Sequence, residues 1–252
     1  MNKIPLSKKV QIVECLVNGM SLKDTSILAD VSINTVTKLQ MDLGKACLAY
    51  HENTVKSLVM TKEVACQFIW SFANLGSQEE PAIANGTADD YWTWVAQDNK
   101  NQLIITFSVS PCNIESAMAI LKDVRLRVVA NYEVATIGPA SFTEAAKESI
   151  SDGIENQLSF SALKDKLPGI PELRHGQTET SLAAGLQKVS ENVNGFSYLN
   201  KMSKKVMSLW YSLSLHCVYH NFCREQAGGA TPAMRAGLTT KLMSIEDLIA
   251  LK

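Results

Sequence analysis

Apolar residues recur at three- and four-residue steps near the start of the chain. In LSKKVQIVECLVNG (6–19), Leu6, Val10, Val13 and Val17 share a stripe, Ser7 is placed to cap the start and Gly19 to end it, so the spacing predicts a helix. The next stretch, SLKDTSILADVSINTVTKLQMDLG (21–44), divides in two. Ser21 with Asp24 makes a cap-like start for a short helix reaching Ala29, ADVS makes a tight turn, and Ser32 caps a second helix with Val36, Leu39 and Leu43 on its apolar side. A helical connector is expected over 45–60. The pattern then changes to strands over 63–73, 91–98 and 102–110, interrupted by a polar loop with a turn signal at Asn85-Gly86 and by the short turn NKN. A helix over 113–127, with Ile114, Met118 and Leu121 on one side, leads to a short fourth strand at 128–133. Near the C-terminus the pattern predicts a long helix over 203–226 and a short closing helix started by Ser244 and Glu246-Asp247.

Composition excludes a disordered chain. Of 252 residues, 46% are apolar and 19% charged, enough to bury a real core. The net charge of −1 is unevenly spread: residues 1–56 carry +2, residues 57–195 carry −7 and residues 196–252 carry +4. The two ends therefore suit nucleic acid, and the middle suits a polyanion poorly. Six scattered cysteines form no C-x-x-C, and no signal peptide or membrane-spanning stretch is read, so reduced thiols in a cytoplasmic, nucleoid-associated protein are expected.

A short helix, a tight turn and a second helix with a D-V-S-x-x-T-V core resemble the helix-turn-helix of DNA-binding proteins. The resemblance implies that the second helix enters the major groove. The residues expected to face outward on it are Asn34, Thr35, Thr37, Lys38 and Gln40. Asn and Gln pair bidentately with adenine, and Lys meets guanine or phosphate. Double-stranded DNA is thus the expected partner. A homo-oligomer is also expected, because such motifs gain affinity by pairing on two half-sites.

The strand order so far opens a ribonuclease-H-like α/β fold, one of several arrangements the pattern allows. Four motifs narrow the choice: NTVTKL in the second helix, C-x-x-IWSF followed by YWTWVAQD, VYHNFCR, and TPAMRAGL with SIEDLIAL. Together they resemble the transposases of the insertion-sequence-one family over nearly the whole chain, with a poor match from about 133 to 195. The resemblance implies an N-terminal helix-turn-helix domain over 1–58 and a ribonuclease-H-like core with C-terminal helices over 59–252.

It also implies three catalytic carboxylates, Asp-Asp-Glu. Two Mg²⁺ ions held roughly 3.5–4 Å apart activate the attacking oxygen and stabilise the leaving one, and such hard cations take charged oxygen ligands. Here the positions are neutral. Gln67 stands where the first Asp of a C-D-E-I-W-S-F pattern is expected. Asn131, or Glu133 in a shifted register, takes the second. Ala183 or Ala184 takes the Glu, depending on whether Thr180-Ser181 or Phe196 anchors the alignment, and the Arg-Gln-Asn expected to follow is missing. No metal and no cofactor are therefore expected.

Other acids near the site, Asp89, Asp90, Asp98 and Glu133, offer a rebuilt metal site against a plainer reading, in which Asp98 shapes a turn and the Asp89-Asp90 pair is solvated. His216, His220 and Cys223 recur at i, i+4 and i+7 without an evident fourth zinc ligand. Trp70, Trp92, Trp94 and Trp210 read as core rather than as a base-stacking set, and LPGIPEL (167–173) reads as a linker. The sum is a transposase-derived, sequence-specific DNA-binding protein, catalytically inactive and acting as a transcriptional regulator. The alternatives are a metal-dependent transposase with atypical ligands, and a decayed core used for protein interaction.

Overall fold

The structure, a computed structural model, describes residues 4–59, 61–71, 91–111, 113–129, 132–137, 158–160 and 206–251. The chain divides into two compact units. A helical unit joins the N-terminal residues through Val55 to the C-terminal helices, and a sheet unit holds the strands from Lys56 onward. The C-terminal segment, expected to continue the core, thus packs with the N-terminal helices instead.

In the helical unit, α1 (Leu6–Val17) starts after Pro5 rather than from a Ser7 cap. It ends where Gly19 turns to φ 87°. There the Gly19 N–H donates to the Leu16 carbonyl at 3.0 Å and the Met20 N–H to the Cys15 carbonyl at 2.9 Å, satisfying carbonyls the helix leaves open. Helix α2 (Leu22–Leu28) is capped by Ser21, whose oxygen accepts from the Asp24 N–H. Helix α3 (Ile33–Thr54) is capped by Ser32, which accepts from the Thr35 N–H.

Helix α3 does not stop at Gly44, where the pattern ended it. Its last three turns absorb most of the expected connector. Gly44 marks a crossing instead: α3 meets α5 (Val206–Val218) there, and a Cβ built on Gly44 would lie 2.6 Å from the Tyr211 carbonyl carbon and nearer still to its oxygen. The missing side chain lets two backbones touch.

Helix α5 is buried on every side from Ser212 to Val218, as an apolar helix inside a core must be. The single helix expected over 203–226 gives way at Tyr219 to a π turn, Tyr219–Cys223, and the backbone is extended by Arg224. This turn sets Phe222 edge-on to Tyr50 of α3, with ring centroids 5.1 Å apart. Helix α6 (Pro232–Arg235) follows a Thr231 cap, and α7 (Ile245–Ile249) follows Ser244. Ser244 and Asp247 cap each other reciprocally, as the Ser244 signal led one to expect. Helix α7 packs on α1, burying Leu248 and Ile249.

In the sheet unit, β1 (Glu63–Ser71), β2 (Tyr91–Asp98), β3 (Ile104–Pro111), β4 (Tyr132–Ile137) and β5 (Leu158–Phe160) form one sheet in the order β3-β2-β1-β4-β5. The first three strands are antiparallel neighbours, and β4 and β5 add in parallel. That order and mixture of directions is the ribonuclease-H-like α/β arrangement expected from the sequence. Helix α4 (Ile114–Arg127), capped by Asn113, packs on β2 and β3. Its buried stripe is Ala117, Ile120, Leu121 and Val124, while Ile114 and Met118, expected on that side, are half-buried.

The fourth strand lies four residues later than the pattern placed it. Val128 caps the end of α4 and bridges to Leu58, and its apolar neighbour Val129 is exposed. The alternation that builds β4 is Tyr132 and Val134, both buried. Trp94 is fully buried in β2, as the core reading held. No helix among the described residues is long and apolar enough to cross a membrane.

Candidate nucleic-acid interface

Two polar constellations came from the sequence, one in each unit. The first is the α2–turn–α3 pair. Helix α2 ends in Ala29, and Asp30 reverses the chain at φ 50°. The Asp30 N–H donates to the Ile27 carbonyl at 3.2 Å and the Val31 N–H to the Ser26 carbonyl at 3.0 Å. Lys8 of α1 braces the same turn, donating to the Asp30 carbonyl at 3.2 Å. Ser32 then starts α3, its oxygen accepting from the Thr35 N–H at 3.2 Å and pairing with the Thr35 hydroxyl at 2.9 Å. Turn and cap together fix the direction in which α3 leaves.

The five residues expected on the outer face of α3 separate into three kinds. Asn34 and Lys38 are exposed, four residues apart and therefore on neighbouring turns of one face. Thr35 and Thr37 are half-buried, and their hydroxyls are engaged locally, Thr35 with Ser32 and Thr37 as donor to the Ile33 carbonyl at 2.9 Å. Gln40 is corrected: it is only 6% exposed and lies on the inner side with Val36, Leu39 and Leu43. At about 100° per residue, position 40 falls about 40° from position 36, at the edge of the buried stripe, so the wheel carries the amide inward despite its polarity. Ile33, which the sequence reading passed over, is 45% exposed in the first turn. Its signal was an apolar residue directly after an N-cap, outside the buried stripe.

The charge of the unit agrees with an anionic partner. Its residues carry thirteen Lys and Arg against eight Asp and Glu, a net of +5, because the two basic ends of the chain belong to one body. The sheet unit carries eleven against seventeen, a net of −6.

The second constellation is the set of positions matching the family carboxylates. Gln67 lies mid-strand in β1, the central strand, between Val95 of β2 and Ile137 of β4 in the register. The parallel pairing puts Glu133 opposite Glu63, four residues before Gln67 and so roughly 13 Å away along the strand at about 3.3 Å per residue. Asn131 precedes the first residue of β4 and lies outside the described residues, as do Ala183, Ala184, Asp89, Asp90, the Pro-rich stretch 167–173 and Cys112. The residue that the register sets beside Gln67 is Ile137.

Asp98 is built into a turn. It is fully buried and accepts from the Thr61 hydroxyl at 2.7 Å, from the Lys100 and Asn101 N–H groups at 2.9 Å each, and from the Asn101 side-chain amide at 2.9 Å. Both its oxygens are thereby occupied in shaping the β2–β3 connection. Among the described residues no three His, Cys, Asp or Glu side chains gather as a metal-ligating group. His216 and His220 are buried, and the change to a π turn after Val218 breaks the regular spacing that aligned them with Cys223. Burial also pushes the thiols of Cys47, Cys66 and Cys223 up to about 12, so they are protonated and poor nucleophiles at neutral pH.

Several solved structures are similar to this chain. The catalytic core domain of BIV integrase matches at 17% identity with a TM-score of 0.38, over 68% of this chain and 91% of that one. The Mos1 strand transfer complex matches at 11% identity with a TM-score of 0.30, over 86% of this chain and 79% of that one. A pre-cleavage Mos1 transpososome matches at 12% identity with a TM-score of 0.26, over 86% and 77%. No protein-family model matches the chain, and no curated protein does. The fold described above stands on the strand order itself.

Proposed function

We propose that this protein is a sequence-specific DNA-binding protein derived from a transposase, without strand-transfer activity, that acts as a DNA-bound transcriptional regulator. The observation that carries the reading is the pair of N-terminal turns of α3, taken as one surface. A cap and a braced turn hold it, Asn34 and Lys38 stand exposed on it, and it belongs to the unit of net positive charge. In this reading α2 and α3 form a helix-turn-helix, α3 lies in the major groove, and two copies of the chain bind two half-sites. The C-terminal helices then serve as the scaffold of the DNA-binding unit, with α5 crossing α3 at Gly44. The ribonuclease-H-like sheet is the remnant of the enzyme. Gln67 brings an amide without charge, and its neighbour Ile137 brings no donor at all. Two divalent ions held close together need carboxylates to offset their repulsion.

Binding-site selection with the full chain and a random duplex pool tests both halves. A preferred site should emerge. On it, Asn34→Ala should cost about 1–3 kcal/mol, and Lys38→Ala should weaken all duplexes and reduce the salt slope by about 1. The same site incubated with Mg²⁺ or Mn²⁺ should stay intact. Equal affinity for selected and random duplexes removes the DNA-reading half. Chelator-sensitive nicking or joining removes the inactive half and favours a transposase with atypical ligands.

A further inference from the structure

The outer face of α3 offers more than Asn34 and Lys38. Ile33 is a large apolar side chain, 45% exposed, at the first helical position after Ser32. Thr37 stands one turn further on the same side, four residues away. Its hydroxyl proton is spent on the Ile33 carbonyl at 2.9 Å, so Thr37 keeps its methyl and a hydroxyl oxygen that can only accept. Gln40, the second amide the sequence suggested, is buried. The first two turns therefore present the exposed Ile33 and the half-buried Thr37, with its methyl, beside one exposed amide, Asn34, and one exposed cation, Lys38.

Each of these groups has a distinct counterpart in the major groove. Asparagine pairs with the N6 and N7 edge of adenine, and apolar groups contact the 5-methyl of thymine, the only hydrocarbon a base edge displays there. We infer that Ile33 and Thr37 form a thymine-methyl contact next to the adenine read by Asn34, so that this face of α3 selects duplex DNA carrying a thymine methyl at that position. The inference rests on the DNA-binding reading and adds a base identity to it. It also accounts for an exposed isoleucine in the first turn of a helix whose other large apolar residues are buried or half-buried.

The test uses the full chain and the duplex recovered from the random pool, resynthesised with each thymine in turn replaced by deoxyuridine, which removes only the methyl. One replacement should weaken binding by about 3- to 10-fold in the unaltered protein. Ile33→Ala should bind the thymine duplex more weakly and no longer distinguish it from the deoxyuridine duplex. Thr37→Ser keeps the hydroxyl and removes the methyl, and should reduce the discrimination partly. Asn34→Ala should lose affinity yet keep the deoxyuridine effect. Because Ile33 is exposed, its replacement leaves the core intact, which circular dichroism checks. If every deoxyuridine duplex binds as tightly as its parent, or if Ile33→Ala keeps the full discrimination, the methyl contact is overturned while the DNA-binding reading stands. If no duplex is selected at all, both fall.

Discussion

The two units use polar residues in opposite ways. In the helical unit the first two turns of α3 project an exposed amide and an exposed cation beyond the Ser32 cap. In the sheet unit the conspicuous acid, Asp98, is fully buried and accepts four hydrogen bonds within one turn region. The first arrangement leaves polar groups for a partner, and the second consumes them. Net charge follows the same division, positive where groups project and negative in the sheet unit. The lesson is that chain order conceals the contrast: the two basic ends of the sequence, residues 1–55 and 195–252, form one body.

The contrast breaks most completely at Gly44. An alanine in a helix interior ordinarily gains roughly 0.5–1 kcal/mol over glycine, but here any side chain collides with the Tyr211 backbone. Gly44→Leu should cost about 3 kcal/mol or more, as severe overpacking does, and should abolish duplex binding by forcing α3 and α5 apart. Urea unfolding and duplex titration measure both; unchanged stability would mean that the crossing is loose. Asp98→Ala is the matching lesion in the sheet unit. It strands the Thr61 hydroxyl, the Asn101 amide and two backbone N–H groups in the interior, so it should cost about 2–3 kcal/mol. It should leave the duplex affinity of the folded protein unchanged. A large loss of affinity from Asp98→Ala would show that the sheet unit takes part in reading DNA.

What the sequence disclosed depended on how local each signal was. Caps are read from one or two residues, and Ser21, Ser32 and Ser244 were legible because each precedes an apolar period. The β2 strand was legible from its aromatic alternation. Gly44 was not: a glycine that ends a helix and one that admits a neighbour look alike until α5 is in place. The start of β4 was missed because Val128 and Val129 have strand-like chemistry, while the bridge from Val128 to Leu58 is a long-range event. Gln40 was misplaced because polarity was weighed above the wheel.

Acid should also separate the units. The His216 ring is buried in α5, and loss of hydration lowers its pKa from 6.5 to about 3. The unfolded chain takes up that proton near pH 6.5 and the folded chain does not until about pH 3. Folding stability from this group is therefore complete above pH 6.5 and declines as the pH falls between those values, by at most about 1.4 kcal/mol per pH unit. Asp247, whose carboxyl is held below 3.8 chiefly by hydrogen bonds from Ser244, keeps its full contribution above that value and loses it only in more acid solution. The interval from pH 6.5 to 4.5 thus leaves Asp247 out, and the His216 variant separates this ring from the other buried histidines, His51 and His220. Urea midpoints there should fall with pH in the unaltered protein and flatten in His216→Gln; parallel slopes would assign the acid sensitivity elsewhere.

The smallest effect gives the sharpest comparison, because it sets two caps of the same unit against each other. Ser32→Ala removes the oxygen that accepts from the Thr35 N–H and pairs with the Thr35 hydroxyl. Ser244→Ala removes the corresponding oxygen at α7, where Asp247 donates its N–H. Each should lower stability by about 1 kcal/mol, the usual worth of an N-cap. Their effects on DNA should differ. Without Ser32 the first turn of α3 frays, and Ile33, Asn34 and Thr37 lose the fixed geometry that base contact requires. Duplex affinity should then fall by more than the stability loss explains. Without Ser244 the fraying is confined to a five-residue helix that packs on α1, and affinity should hold. Equal losses of affinity in the two variants would mean that binding follows the general stability of the helical unit, and the first turn of α3 would lose its claim to be the reading surface.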